Sequence, residues 1–210
     1  MNDTLPSRLR GRLREPLPGA AIGSRYGPQW GSARHYDQGP PDARPAAVLA
    51  LLYPLEGRWH LPLTLRPAHL PDHGGQVCLP GGAIESGESS AEAAVREFHE
   101  ELGAAGHPID LLGRLSPLYL PGSRFRVEPW VGATDARPAL APNPAEVDLL
   151  LEVPLSHLLD PAHFGTHQRH DKGRSYTAPH FAWQTHRIWG ATCMILGELV
   201  TLLEELGIRG

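Results

Sequence analysis

Apolar residues along this chain fall into short blocks separated by Pro- and Gly-rich breaks. The run AAVLALLYP, residues 46–54, is almost unbroken and has the length of a strand buried on both faces. WHLPLTLR, residues 59–66, alternates imperfectly, and Glu56 and Gly57 between the two runs predict a hairpin. QVCL, residues 76–79, reads as a short strand that ends on Pro80, Gly81 and Gly82. Further on, IDLLGRLSPLYL (109–120) and FRVEPWVGAT (125–134) read as two strands around the turn PGSR. VDLLLEVP (147–154) is another strand, PLSHLLDP (154–161) a short helix, and RSYTAPHFAWQTHRIWG (174–190) one or two strands. Two segments carry helical periodicity instead. Residues 89–102 open on Ser89 and Glu92, a capping box, and close on Gly103. From about residue 191 to 206, Met194, Ile195, Leu199, Leu202, Leu203 and Leu206 form a core stripe. Strands interleaved with a few helices predict a mixed α/β layered domain.

The first 45 residues differ from the rest. Leu5, Leu9 and Leu13 against Arg8, Arg10, Arg12 and Arg14 predict a short helix whose leucine stripe docks on the domain, with a transit peptide or a membrane-surface helix as the alternative. Residues 15–45, rich in Pro and Gly, read as an extended arm with little regular structure, pinned by Trp30 and Tyr36. The organisation expected is therefore an N-terminal arm over 1–45 and one domain over 46–210.

Composition adds mainly exclusions. A formal net charge of −4 argues against a broad basic face for nucleic acid. No stretch approaches the ~18 apolar residues of a membrane span, and the N-terminus has no apolar signal-peptide core. Cys78 and Cys193 are too few and too far apart for a disulfide framework or zinc site, which fits a reducing cytoplasmic setting. His163, His167 and His170, in HFGTHQRHDKG, read as residues of a solvated loop rather than as zinc ligands.

The chemistry concentrates on the helix at 89–102. At 100° per residue, Ala91, Val95, Phe98 and Leu102 gather on one side, and Glu97, Glu100 and Glu101 on another. Three carboxylates this close repel one another, and hard divalent cations such as Mg²⁺ offset that repulsion. Arg96 stands beside them, able to orient one carboxylate by a bidentate pair.

Gly82, Glu88, Arg96, Glu97, Phe98, Glu100, Glu101 and Gly103 stand at the spacing G-x5-E-x7-R-E-U-x-E-E-x-G, in which U is bulky and apolar. This pattern resembles the box of the Nudix hydrolases, with Ala104 departing at the last bulky position. The resemblance implies an α/β/α sandwich with a mixed sheet and a catalytic loop–helix–loop. It implies that Glu97, Glu100, Glu101 and the Gly81 carbonyl bind Mg²⁺ or Mn²⁺, that Arg96 orients Glu97, and that Glu88 braces the loop or the metal site. The reaction it implies is in-line attack of water on a nucleoside diphosphate linked to another group. Glu97 is the first candidate for general base and Glu146 the second.

Upstream of the box, Leu63, Thr64, Leu65, Arg66, Gly75, Pro80, Gly81 and Gly82 resemble the motif of the coenzyme A pyrophosphatase subgroup. Pro67, Pro71 and Leu79 depart from it. SPLYLPGSRFRVEPWVG and RIWGATCMIL resemble later segments of the same subgroup. CoA or acyl-CoA would then be split to 3′,5′-ADP and the (acyl-)4′-phosphopantetheine. Arg66, Arg124 and Arg126 are the candidates for the substrate's phosphates, and Tyr119, Phe125 and Trp130 for stacking its adenine. The alternatives are hydrolysis of ADP-ribose or another dinucleotide or sugar nucleotide, and a non-catalytic nucleotide sensor. The partner expected is a small-molecule nucleotide, with no nucleic acid and no membrane, and a homodimer is left open.

Overall fold

The computed structural model describes residues 4–29, 39–70, 73–104, 106–171 and 173–209. Trp30, Tyr36 and Pro71 lie outside the described residues.

The 46–54 run forms the centre of β1 (Arg44–Leu55), whose side chains serve two cores. Alternation sends Ala47, Leu49, Leu51 and Tyr53 to one face and Ala46, Ala50 and Leu52 to the other. β1 turns through Glu56 and Gly57, both at positive φ, into antiparallel β2 (Arg58–Leu65). β3 (Val77–Cys78) pairs with the end of β2, and β4 (Gly81–Ala83) pairs with the start of β1. Beyond α3 (Ser90–Leu102) come β5 (Asp110–Arg114), β6 (Leu118–Leu120) and β7 (Phe125–Ala133). β7 lies parallel to β1 along its whole length, and β5 and β6 pair with β7. The 109–120 segment is thus two strands, broken at Ser116 and Pro117. β8 (Leu149–Pro154) completes the mixed sheet by pairing with β2.

α3 covers one face of this sheet through Ala93, Ala94, Phe98 and Leu102. The other face carries α1 (Leu5–Arg12), α2 (Gly23–Tyr26), a short helix at Leu155–Leu159 (α4) and the C-terminal α5 (Gly190–Glu205). The result is an α/β/α sandwich around a mixed sheet. A second, three-stranded antiparallel sheet of β9 (Phe164–Asp171), β10 (Arg174–Trp183) and β11 (His186–Trp189) leads into α5. No helix among the described residues is long and apolar enough to cross a membrane.

Several expectations change here. Leu9 and Leu13 dock as expected, but the arm behind them is more ordered than its composition suggested. A 3₁₀ turn at Gly19–Ile22 and α2 bring Tyr26 into the core, where its ring fills the space left by Gly197 of α5. Glu198 of α5, itself buried, accepts hydrogen bonds from the Gly19 N–H and from the N–H and hydroxyl of Ser116. α5 is buried nearly all round rather than along one stripe, because helices, strands and the arm all pack on it. The histidine-rich segment 163–173 is no loop. Most of it is β9, paired with β10 over eight residues.

Candidate active site

α3 is fixed at both ends. Ser89 and Glu92 form the reciprocal capping box at its start. At its end Gly103 takes the left-handed conformation, and the loop that follows β7 closes over the last turn. There the N–H groups of Ala141 and Asn143 donate to the carbonyls of Leu102 and Glu101, 2.7 and 2.8 Å away. This loop carries Glu146, whose charge acts on both Glu97 and Glu101.

The α3 face turned to the sheet differs from the helical-wheel expectation. Ala93 and Ala94 are buried, Ala91 and Val95 only half-buried, and Glu101 joins the buried side at 2% exposure. Glu101 sits against β4. One carboxylate oxygen accepts weakly from the Gly81 N–H at 3.4 Å and faces the Arg66 guanidinium at 3.9 Å. Its other oxygen is buried with no partner. Burial, with the nearby charges of Glu97 and Glu146, pushes its carboxyl up to about 7 against the attraction of Gly81 and Arg66.

Glu97 is half-buried one helical turn earlier, and burial raises its pKa as well. It lies against Gly82, where a Cβ would come within 2.5 Å of the carboxylate carbon. A Cβ on Gly81 would come within 2.3 Å of the Ala47 carbonyl. Gly81 therefore lets β4 run against β1, a close approach to backbone that no larger residue permits, and Gly82 leaves room for the Glu97 carboxylate.

Arg96 organises the outer side. It grips Glu88 with two nitrogens at 2.7 and 3.1 Å, and reaches Glu97 at 2.9 Å, Glu100 at 3.0 Å and the Ala83 carbonyl at 3.0 Å. These bonds raise the Arg96 pKa further and hold the Glu88 carboxyl below its usual range. Glu100 is thereby turned outward and is half-exposed. So the structure brings Glu97 and Glu101 to the glycine strand and leaves Glu100 on the guanidinium. Among the described residues no three His, Cys, Asp or Glu side chains converge as a preformed metal cage.

A cavity of about 370 Å³ opens beside β4. Gly81, Gly82, Arg66, His73 and Gln76 line its polar end. Apolar walls come from β1, β6, β7 and the start of α5, including Val48, Phe125, Val127 and Ile195, with Trp189 at the β11 side. Cys78 also lines it, half-buried, with burial pushing its thiol up to about 11. At neutral pH that thiol is protonated, which fits an inert residue.

Of the arginines expected at substrate phosphates, only Arg66 lines this cavity. Arg124 pairs with Asp42 on the surface, and Arg126 lies 3.6 Å from Glu128. Their placement follows from strand parity: Phe125 and Val127 face the cavity, so Arg126 between them faces away. Among the aromatic candidates Phe125 lines the cavity, and Trp130 instead donates from its indole N–H to Ser90 on the α3 face. Trp189 stood out in the sequence only within RIWGATCMIL, as part of a Trp-Gly-x-Thr helix entry, and not as a cavity residue.

An acidic helix end packed on a glycine strand, at one end of a cavity, has the layout of a hydrolase site for an anionic substrate. The NUDIX domain family model matches residues 43–173, and the chain belongs to that family, the Nudix hydrolases. It is 33% identical over 175 residues to Nudix hydrolase 3 of Caenorhabditis elegans, covering 75% of this chain and 72% of that protein. It is 37% identical over 167 residues to the human mitochondrial coenzyme A diphosphatase NUDT8, covering 77% and 71%. Among solved structures, a MutT/nudix family protein from Enterococcus faecalis superposes with a TM-score of 0.50 at 16% identity, covering 79% of this chain and 64% of that one, a likeness of fold. Nudix hydrolases act on nucleoside diphosphates linked to other groups and generally need a divalent metal ion.

Proposed function

We propose that this chain hydrolyses the diphosphate of CoA or acyl-CoA to 3′,5′-ADP and the (acyl-)4′-phosphopantetheine. The observation that carries the reading is the cavity, whose polar end is made by Gly81, Gly82 and Arg66, the residues Glu97 and Glu101 pack against, and whose remaining walls are largely apolar. Such a shape suits a diphosphate bearing a long, uncharged organic arm. The likeness to the human coenzyme A diphosphatase supports the same choice.

The residues suit a hard divalent cation. Glu101 has a buried carboxylate oxygen without a partner, and the charges of its neighbours Glu97 and Glu146 act on it against those of Arg66 and the Gly81 N–H. Glu97, Glu101 and the Gly81 carbonyl would hold Mg²⁺ or Mn²⁺, with Glu100 joining once released from Arg96. The bound ion would neutralise the diphosphate and acidify water. Arg66, at the cavity's polar end, would meet a phosphate oxygen. Glu97 serves as general base, taking a proton from the attacking water while Arg96, anchored on Glu88, keeps its carboxylate oriented. Water oxygen bonds to one phosphorus, the bridging P–O bond breaks, and the leaving phosphate keeps the bridging oxygen.

Steady-state assay of CoA, acyl-CoA, ADP-ribose, NADH and diadenosine polyphosphates with Mg²⁺ and Mn²⁺ tests the reading. CoA or an acyl-CoA should give the highest kcat/KM. Turnover of ADP-ribose about tenfold better than CoA, a preference of ~1.4 kcal/mol, would discard the substrate but not the family. In heavy-oxygen water, label should enter one phosphorylated product and no carbon-bound hydroxyl.

A further inference from the structure

The three-stranded sheet has an outer face that borders the cavity and collects positive charge. Alternation along β9–β11 sends Phe164, Phe181 and Ile188 into the main core. The opposite face gathers His167 and Arg169 from β9, His180 from β10, and Arg187 and Trp189 from β11. His180 stands directly across from Trp189, which also lines the cavity. The Arg169 guanidinium lies over the Trp189 ring, 3.9 Å from its centroid. A guanidinium stacked this way keeps its N–H rim free to donate in the plane, and the Arg169 Nε is buried without a partner.

His167 and His180 touch through their Nδ1 atoms at 3.3 Å, a contact that needs at least one neutral ring. Burial and the charges of Arg187 and Arg169 depress the His167 pKa, and burial, His167 and Arg187 depress that of His180. Among the described residues neither Arg169 nor Arg187 has a carboxylate at ion-pair distance, unlike Arg96, Arg124, Arg126 and Arg137. Among the described residues the two guanidinium groups have no carboxylate counterweight, and an anion would supply one.

We propose that this face is a phosphomonoester subsite, in which Arg169 and Arg187 receive a phosphate carried by the substrate outside the diphosphate that is cleaved. Trp189 supports the nucleotide half bearing that phosphate, at the boundary between the face and the cavity. The proposal rests on the CoA-type reading, because the nucleotide half of CoA carries such a group at its 3′ oxygen. It gives the phosphate role expected of Arg124 and Arg126 to two arginines that have no carboxylate partner among the described residues.

The test measures metal-free calorimetric binding of 3′,5′-ADP and 5′-AMP to the full chain, beside kcat/KM for CoA and dephospho-CoA. Wild type should favour the 3′-phosphorylated member of each pair by about tenfold or more, the scale of one charge-assisted contact. Arg187→Gln and Arg169→Gln should bring both ratios close to one. Arg187 is exposed, so its substitution still decides the matter if Arg169→Gln disturbs the Trp189 stack and folding. Equal binding of the two nucleotides by wild type, or an advantage that survives in Arg187→Gln, overturns the subsite. Better turnover of ADP-ribose than of CoA would remove the substrate reading alone, and the nucleotide-binding comparison would still decide whether the phosphate site exists.

Discussion

Replacing Glu101 by Gln separates what this residue does for the fold from what it does for the reaction. Glu101 is buried, and its carboxyl is pushed from the ordinary 4.5 up to about 7. At ~1.4 kcal/mol per pH unit, the folded protein carries a penalty of about 3 kcal/mol for the ionised side chain at pH 8. Glutamine keeps the shape and removes the charge. Its amide inherits the partnerless position of the second oxygen, at a cost of about 1 kcal/mol. The metal-free variant should therefore be more stable at pH 8 by about 1–2 kcal/mol, or roughly 2–8 °C in Tm for a chain of this size. The sign follows from linkage. Below pH 4.5 the acid is protonated in both folded and unfolded states and glutamine gains nothing. Between 4.5 and about 7 the unfolded state ionises first, so the advantage of glutamine grows, and above that range it is constant. Added Mg²⁺ should raise the Tm of wild type, since it binds the folded state, and raise that of the variant less. kcat should fall by about a hundredfold or more, the scale for losing one preorganised charge. The assays are thermal melts at pH 4 and pH 8 with and without Mg²⁺, beside steady-state turnover. A variant that melts below wild type at pH 8, or that keeps near-normal turnover and an unchanged Mg²⁺ response, would refute the reasoning.

Gly82→Ala should fold, because Gly82 is not at positive φ, yet its Cβ would displace the Glu97 carboxylate. Turnover should drop about a hundredfold while the Tm moves little, as assay and melt together would show. Glu198→Ala strips three buried hydrogen bonds that tie Gly19 and Ser116 to α5. It should cost about 3 kcal/mol in a urea melt and expose the N-terminal segment to limited proteolysis. Glu152, held by Arg137 and by the Tyr53 hydroxyl, has its carboxyl below the usual 4.5. Its contribution is present above that value and lost as pH falls through the depressed one, so Glu152→Gln should flatten the acid limb of a Tm–pH profile.

The residues with strong local signatures were legible in the sequence. β1 announced itself as an unbroken apolar run, α3 by its capping box and terminal glycine, and the acidic spacing on α3 by identity and interval. What escaped depends on partners far away in the chain. β9 alternates mostly polar residues on both of its faces, FGTHQRHD, so no apolar period marks it. It is a strand because β10 offers it a ladder of eight register pairs. Arg124 and Arg126 read as free cations because neither Asp42 nor the parity of β7 against the cavity is visible locally. Arg169 of β9 and the pair Arg187 and Trp189 of β11 are brought together only by the small sheet.

Glu101 shows most directly why a helix wheel cannot finish the argument. On the wheel it sorts with Glu97 and Glu100 as part of an acidic face. In the fold those three residues meet three different environments. Glu100 is held outward by Arg96, Glu97 lies half-buried on Gly82, and Glu101 is enclosed between β4 and the last turn of α3. The enclosure comes from the loop at 141–147, whose N–H groups satisfy the carbonyls of Leu102 and of Glu101 itself. A leucine at 101 would extend the stripe of Ala94, Phe98 and Leu102 and would add burial rather than a penalty of about 3 kcal/mol. Stability alone gives no reason for a carboxylate there, with one oxygen weakly bonded and the other bare. A charge that the fold tolerates at a cost, beside a second raised carboxylate and next to the polar end of a cavity, is what the proposed cation at Glu101 would account for.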